Sequence, residues 1–173
     1  MNNKICIITG ANAGIGKAMA LALAQQGAQI VMVCRNQASG EAAQHEIRRL
    51  SSNPAIELLL ADLSSQASIR ELASQIEAHY PQIHVLVNNA GLQLMDRQLS
   101  VDGIEITWAV NHLAPFLLTN LLLERLKASA PARVISTNSI VHRWAKLDWD
   151  NLQGEQHYDS NEAYHRSKLA NLL

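Results

Sequence analysis

The chain has 173 residues, a formal net charge of −1 and 48% hydrophobic residues. That length fits one domain, large enough for a core of its own. The near-neutral charge gives no electrostatic case for a nucleic-acid or anionic-membrane partner.

The first element is Lys4-Ile5-Cys6-Ile7-Ile8, an apolar, β-branched run that predicts a strand at 4–9. Thr9-Gly10-Ala11-Asn12-Ala13-Gly14-Ile15-Gly16 follows, leading into a helix at about 14–26. Its apolar face is read as Ile15, Met19, Ala22 and Leu23. Glycines in such a loop permit positive φ and let a phosphate approach the backbone closely. The helix start adds free N–H groups and a positive dipole end, so the segment is expected to cradle an anion. An ordinary turn is the plainer alternative. The glycines are spaced G-x-x-x-G-x-G rather than G-x-G-x-x-G. Gly16-Lys17 matches the end of an NTPase phosphate loop. That loop needs a Gly where Ala11 stands and a hydroxyl where Ala18 stands, which argues against an NTPase.

Strands are then predicted at 29–34, 56–61, 83–88 and 132–137, and helices at 38–51, 66–79, 101–127 and 160–173. Such alternation predicts an α/β fold, a parallel sheet with helices on both faces. Val85-Leu86-Val87 has the continuous apolar run of a strand buried on both sides. The least patterned stretch, 143–160, holds Trp144 and Trp149 and is expected to be a long loop near a substrate. Cys6 and Cys34 fall in predicted strands and are expected to be buried thiols in a reducing cytoplasm. His45-Glu46 is followed by Arg49 where H-E-x-x-H has its second His, so no metal site is predicted. Met1-Asn2-Asn3-Lys4 leads straight into the first strand without a signal peptide. The apolar stretch from Leu113 to Leu123 is too short and interrupted to span a bilayer.

Near the end, Tyr164 and Lys168 stand four apart in a predicted helix and so share a face. A nearby ammonium favours phenolate, which lets a Tyr trade a proton near neutral pH. Many surface helices carry such a pair, so the spacing alone decides nothing.

Three motifs together do. Thr9-Gly10-x-x-x-Gly14-x-Gly16, Asn88-Asn89-Ala90-Gly91 and Tyr164-x-x-x-Lys168 occur in the order found in the short-chain dehydrogenase/reductase superfamily, and the chain resembles that superfamily over nearly its whole length. The runs Val110–Leu118, Asn151–Glu155 and Ser167–Asn171 are most similar to its retinol dehydrogenase-like branch. The resemblance implies a Rossmann-type doubly wound sheet in the order 3-2-1-4-5, here as a single NAD(P)-binding domain over 1–173. It also implies that two further strands and a substrate lid lie beyond the matched region. The chain therefore reads as the first two-thirds of an enzyme, weakly active by itself, with Val134 and Ile135 on an uncovered edge. Relatives in that branch often carry an N-terminal membrane anchor. None precedes Lys4, so a soluble, cytoplasmic protein is expected.

The resemblance also assigns roles. Gly10, Ala11, Asn12, Gly14, Ile15 and Gly16 would hold the cofactor phosphates, with Asn89, Ala90 and Gly91 lining its path. Asp62 would meet the adenine amino group and Leu63 its face; read from the residues, Asp62-Leu63-Ser64 is also a plausible helix cap. Tyr164 would serve as general acid/base. Lys168 would lower its pKa and hold the nicotinamide ribose, and Ser139 would orient the substrate carbonyl. Ser139 follows the fifth strand, where ligands of parallel sheets bind; a loop-capping Ser is the alternative role, and Ser136 the alternative residue. Asn111 precedes Pro115 by four residues, and proline has no N–H. The Asn111 carbonyl is therefore expected to be free to hold a water of the proton relay, a simple kink being the other reading.

NAD enzymes usually place an acid at the end of strand two. Here that position is Cys34, followed by Arg35 and Asn36. A guanidinium would bind a 2′-phosphate, with Lys17 adding charge nearby, so NADP(H) is expected over NAD(H). A solvated Arg is the bland alternative. The predicted function is interconversion of an alcohol and an aldehyde or ketone by hydride transfer. The alternative is a non-catalytic nucleotide-binding sensor or scaffold, or an inactive fragment. The expected partners are a small-molecule substrate and a second copy of the chain. The second copy would meet the helix carrying Leu113, Leu117, Leu121 and Leu122, together with the Tyr164 helix.

Overall fold

The computed structural model describes residues 1–173. Five parallel strands, β1 (Ile5–Thr9), β2 (Gln29–Cys34), β3 (Ile56–Leu60), β4 (Val85–Asn88) and β5 (Arg133–Ser136), form one sheet. Their order is β3-β2-β1-β4-β5, the expected one. Ile7 stands opposite Val31 on one side and Leu86 on the other.

Alternate residues of each strand face opposite ways, and both faces are covered over the central strands β2, β1 and β4. Ile5, Ile7, Val31, Val33 and Leu86 pack against Ile69, Leu72 and Ile76 of α3 (Gln66–His79). The same core takes in Leu118 of α5 (Ala114–Leu121) and Leu126 of α6 (Leu123–Ala128). Cys6, Ile8, Ile30, Met32 and Val87 pack the other way, on α1 (Gly14–Gln25) and α2 (Gln37–Ser51). The two thiols are buried by this packing, and burial pushes each up to about 11.

Four expectations need correction. First, α1 turns Gly16, Ala20 and Ala24 inward, whereas Ile15 is 64% exposed and Ala22 is exposed too. Small size, not hydrophobicity, selects the buried stripe, because it lets the helix lie close to the sheet. Second, no single helix runs over 101–127. A short helix, α4 (Ile106–Trp108), starts at Glu105, whose carboxylate accepts from the N–H groups of Thr107 and Trp108, both at 2.8 Å. A π-turn, Ala109–Leu113, then leads into α5, and the path breaks again at Leu122. The missing donor at Pro115 is the local cause: the ladder widens where a normal i+4 bond cannot form.

Third, the long loop expected at 143–160 is present from 145 to 159 but is interrupted. Two 3₁₀ turns, Ile140–Trp144 and Trp149–Asn151, precede α7 (Ser160–Ala170), whose N-cap is Asp159. Trp144 packs on His165 of α7 with ring centroids 6.1 Å apart. Fourth, the leucines expected to make more than one apolar stripe serve mainly the core face. Leu122 is fully buried, Leu117 and Leu121 lie against the core, and Phe116, 62% exposed, is the large apolar side chain left outward on α5. β5 is exposed along its length, with Val134 and Ile135 both more than two-fifths exposed. No helix is long and apolar enough to cross a membrane.

Candidate active site

A cleft of about 400 Å³ opens at the carboxyl ends of the strands. Its floor is the turn after β1. Gly10 and Gly14 hold φ of +66° and +52°, conformations that side-chain-bearing residues avoid. Both line the cleft with Asn12. The N-cap of α1 is Ala13, which makes no side-chain capping bond, so no side chain caps the first N–H groups of that helix, and Ala13 and Gly14 at its start line the cleft. Gly16 does something else. A Cβ there would lie 2.4 Å from both the Gly10 carbonyl and Asn89 Nδ2, so this glycine lets the helix close against the loop. Ala11 is fully buried in the core and Ile15 points to solvent; neither lines the cleft.

The far end is formed by Cys34, Arg35, Asp62 and Leu63. Arg35 is exposed and forms no ion pair. Lys17 does not help it: its ammonium pairs with Glu46 at 2.5 Å and lies outside the cleft lining. Asn36 is also outside, as the N-cap of α2, where its side chain accepts from the Ser39 N–H at 2.9 Å. Asp62 accepts from the Ser64 N–H and hydroxyl while remaining in the cleft wall; the cap of α3 is Ser65 instead.

The near end is held by a chain of hydrogen bonds. The Thr9 hydroxyl accepts from the N–H groups of Asn89 and Ala90, both at 3.0 Å. Asn89 Nδ2 donates to the Thr9 carbonyl at 3.0 Å, and the Thr137 hydroxyl donates to Asn89 Oδ1 at 3.3 Å. The Thr137 carbonyl in turn accepts from Lys168 Nζ at 3.0 Å. Lys168 is only 4% exposed, and burial pulls its pKa below the ordinary lysine value. Its Nζ lies over the Tyr164 ring, 5.5 Å from the centroid. A Cβ at Gly91 would sit 3.5 Å from that ammonium and 3.3 Å from Asn111 Oδ1. Gly91 lines the cleft, whereas Asn111, Ser139, Tyr164 and Lys168 stand behind its lining.

Asn111 is buried and clamps the turn after β4. Its Oδ1 accepts from the Leu92 N–H, and its Nδ2 donates to the Leu92 carbonyl and to Ser167 Oγ. Its main-chain carbonyl already accepts one hydrogen bond, from Asn171 Nδ2 at 2.8 Å. Ser139 caps the first 3₁₀ turn, accepting from the Val141 N–H at 3.5 Å. Ser136 lies elsewhere, in a separate groove with Asn88 and Phe116. Thr9, Thr137, Ser167 and Asn171 went unassigned from the sequence. Thr9 alone had a local signal, its place at the head of the glycine loop.

The short chain dehydrogenase family profile matches residues 4–149. The chain belongs to the short-chain dehydrogenase family. Over 170 residues it is 47% identical to retinol dehydrogenase 12 of Mus musculus and 44% identical to retinol dehydrogenase 11 of Homo sapiens. Each alignment covers 98% of this chain and 54% of the relative, so the chain spans about half the length of these curated relatives. Among solved structures it is similar to a protein of Mycobacterium paratuberculosis, 34% identical with a TM-score of 0.85, covering 99% of this chain and 59% of that one. It is also similar to a short-chain dehydrogenase of Shigella flexneri solved with NADP, 26% identical with a TM-score of 0.78, covering 99% and 68%. This family member offers a nicotinamide dinucleotide a cradle of positive-φ glycines, an uncapped helix start and a free guanidinium, and its residues fit such a group.

Proposed function

We propose that this polypeptide is an NADP-dependent oxidoreductase that interconverts an alcohol and an aldehyde or ketone. The observation that carries the reading is the convergence of Lys168 and Asn111 on Gly91, which lines the same cleft as Arg35. Bound NADPH would supply the hydride. Tyr164 gives its phenolic proton to the carbonyl oxygen as that oxygen gains charge, and takes it back in the oxidation direction. Lys168, held by the Thr137 carbonyl, supports the phenolate that remains and would hold the nicotinamide ribose of a bound cofactor. Ser139 donates to the substrate oxygen, and Asn111 serves the relay that returns a proton to Lys168. Arg35 would take a 2′-phosphate, since Cys34 rather than an acid stands at the end of β2. Asp62 and Leu63, both in the cleft lining, would hold the adenine. Retinol is named only in its relatives; for this chain the substrate class is a small alcohol or carbonyl compound. A homodimer through the outward sides of α5 and α7 belongs to the same reading, with Phe116 as its apolar anchor.

The test is reduction of an aldehyde panel by the full polypeptide with NADPH and with NADH. NADPH-dependent turnover that Tyr164→Phe abolishes is expected. Turnover with NADH alone, or none with either cofactor, would overturn the reading.

A further inference from the structure

Asn111 sits in the π-turn four residues before Pro115, so its carbonyl has no i+4 donor. The residue is 1% exposed, and a buried carbonyl without a partner is costly. The missing donor comes from another helix. Asn171, at the C-cap of α7, donates its Nδ2–H to that carbonyl at 2.8 Å. This contact fixes the orientation of the Asn171 amide, because a carbonyl can only accept. Asn171 Oδ1 must therefore face outward, where His112 Nδ1 stands 3.0 Å away. An amide oxygen can also only accept, so His112 carries its proton on Nδ1. The Trp108 ring holds the imidazole from the side, with centroids 4.7 Å apart.

On the other side of Asn111 the chain continues. Its Nδ2 donates to Ser167 Oγ at 3.0 Å, and Ser167 donates to the Tyr164 carbonyl at 2.7 Å. One directed series of bonds thus runs from His112 through Asn171, Asn111 and Ser167 to the backbone of Tyr164. We infer that Asn171, itself oriented by His112, is a positioning residue for the reaction proposed above, aiming the Asn111 carbonyl so that its second lone pair is presented to a relay water. Asn171 occupies one of the two lone pairs and leaves the other in a set direction. The inference rests on the proposed function, because an aimed carbonyl matters only if protons pass there.

The experiment compares the wild-type full polypeptide with Asn171→Leu, which keeps the volume and loses the donor, and Asn171→Ser, which keeps a hydroxyl donor. In Asn171→Leu, kcat should fall roughly tenfold to a hundredfold, the scale of a small misplacement near the chemistry. KM for the aldehyde and Kd for NADPH should stay within about twofold, and the pH–rate profile should shift. Asn171→Ser should recover part of the rate. A merely structural contact would lower the thermal midpoint and leave the kcat–KM split and the pH profile alone, which would overturn the inference. If Asn171→Leu does not fold, Asn171→Asp is read instead: a full wild-type rate there also overturns it. An inactive wild type, or a fully active Tyr164→Phe, removes the proposed function and this inference together. An active wild type with unchanged kcat in Asn171→Leu removes this inference alone.

Discussion

Lys168 holds its ammonium over the face of the Tyr164 ring, 5.5 Å from the centroid. The phenol and the charge thus share one side of α7, as residues four apart on a helix do. Tyr164→Phe removes only the hydroxyl. Turnover should fall by about 10² to 10⁴, the usual worth of general acid catalysis, with little change in NADPH affinity. Steady-state rates and a fluorescence titration of the same variant check both halves.

Lys168 is buried without a carboxylate beside it, and its pKa is lowered by desolvation alone. The unfolded chain restores the ordinary value of 10.5. Between the lowered value and 10.5 the unfolded state binds more protons, so stability rises with pH across that window. Below it, the cost of burying the charge is fully present. Lys168→Met should therefore be at least as stable as wild type near neutral pH, with its advantage shrinking as pH rises toward 10.5. Urea midpoints measured across that range check the sign; an advantage that grows with pH would contradict the account.

Arg35 lies at the cleft end with no protein partner. A charge-assisted hydrogen bond is worth about 1.5–3 kcal/mol, or roughly ten- to a hundredfold in affinity. Arg35→Ala should weaken NADPH by that factor and leave NADH nearly unchanged. Lys17→Ala should alter neither, since Glu46 already takes its charge. Calorimetric titration of the three proteins with both cofactors decides it.

Gly16 and Gly14 should respond differently to alanine. At Gly16 a Cβ would meet the Gly10 carbonyl and Asn89 Nδ2 at 2.4 Å, and neither can yield without opening the loop. Overpacking of this kind costs about 1–3 kcal/mol. At Gly14 the space is open, and only the φ of +52° is unfavourable. Gly14→Ala should cost less, about 1–2 kcal/mol, the penalty of a left-handed conformation for a residue with a Cβ. Thermal unfolding of the two variants tests the ranking.

β5 exposes Val134 and Ile135 on a strand paired along one edge only. Residues 1–173 expressed by themselves should self-associate through this strand and reduce aldehydes weakly. Val134→Lys should lower the sedimentation coefficient toward that of a monomer. Persistence of the larger species in that variant would place the contact elsewhere, with Phe116 of α5 the next position to change.

Local chemistry carried most of the fold. Five short apolar-rich runs, separated by helical periods, can bury their apolar faces in few ways, and the order β3-β2-β1-β4-β5 follows with the help of the family motifs. The sequence could place the glycine loop, Arg35 and Asp62 in one cleft, and Tyr164 and Lys168 on one side of α7, because these placements follow from strand ends and i,i+4 geometry within single segments. Side-chain size and long-range partners were not legible in this way. That α1 buries Gly16, Ala20 and Ala24 depends on how closely a helix can approach the sheet, which hydrophobic periodicity does not report. Lys17 had the right charge for a phosphate, but Glu46, twenty-nine positions away, had prior claim to it. Pro115 announced an orphaned carbonyl at Asn111, while the donor that answers it sits sixty positions on, at Asn171. Hydrogen bonds between residues so far apart in sequence exist only once the elements have packed, so tertiary structure alone decides which polar groups remain free to do chemistry.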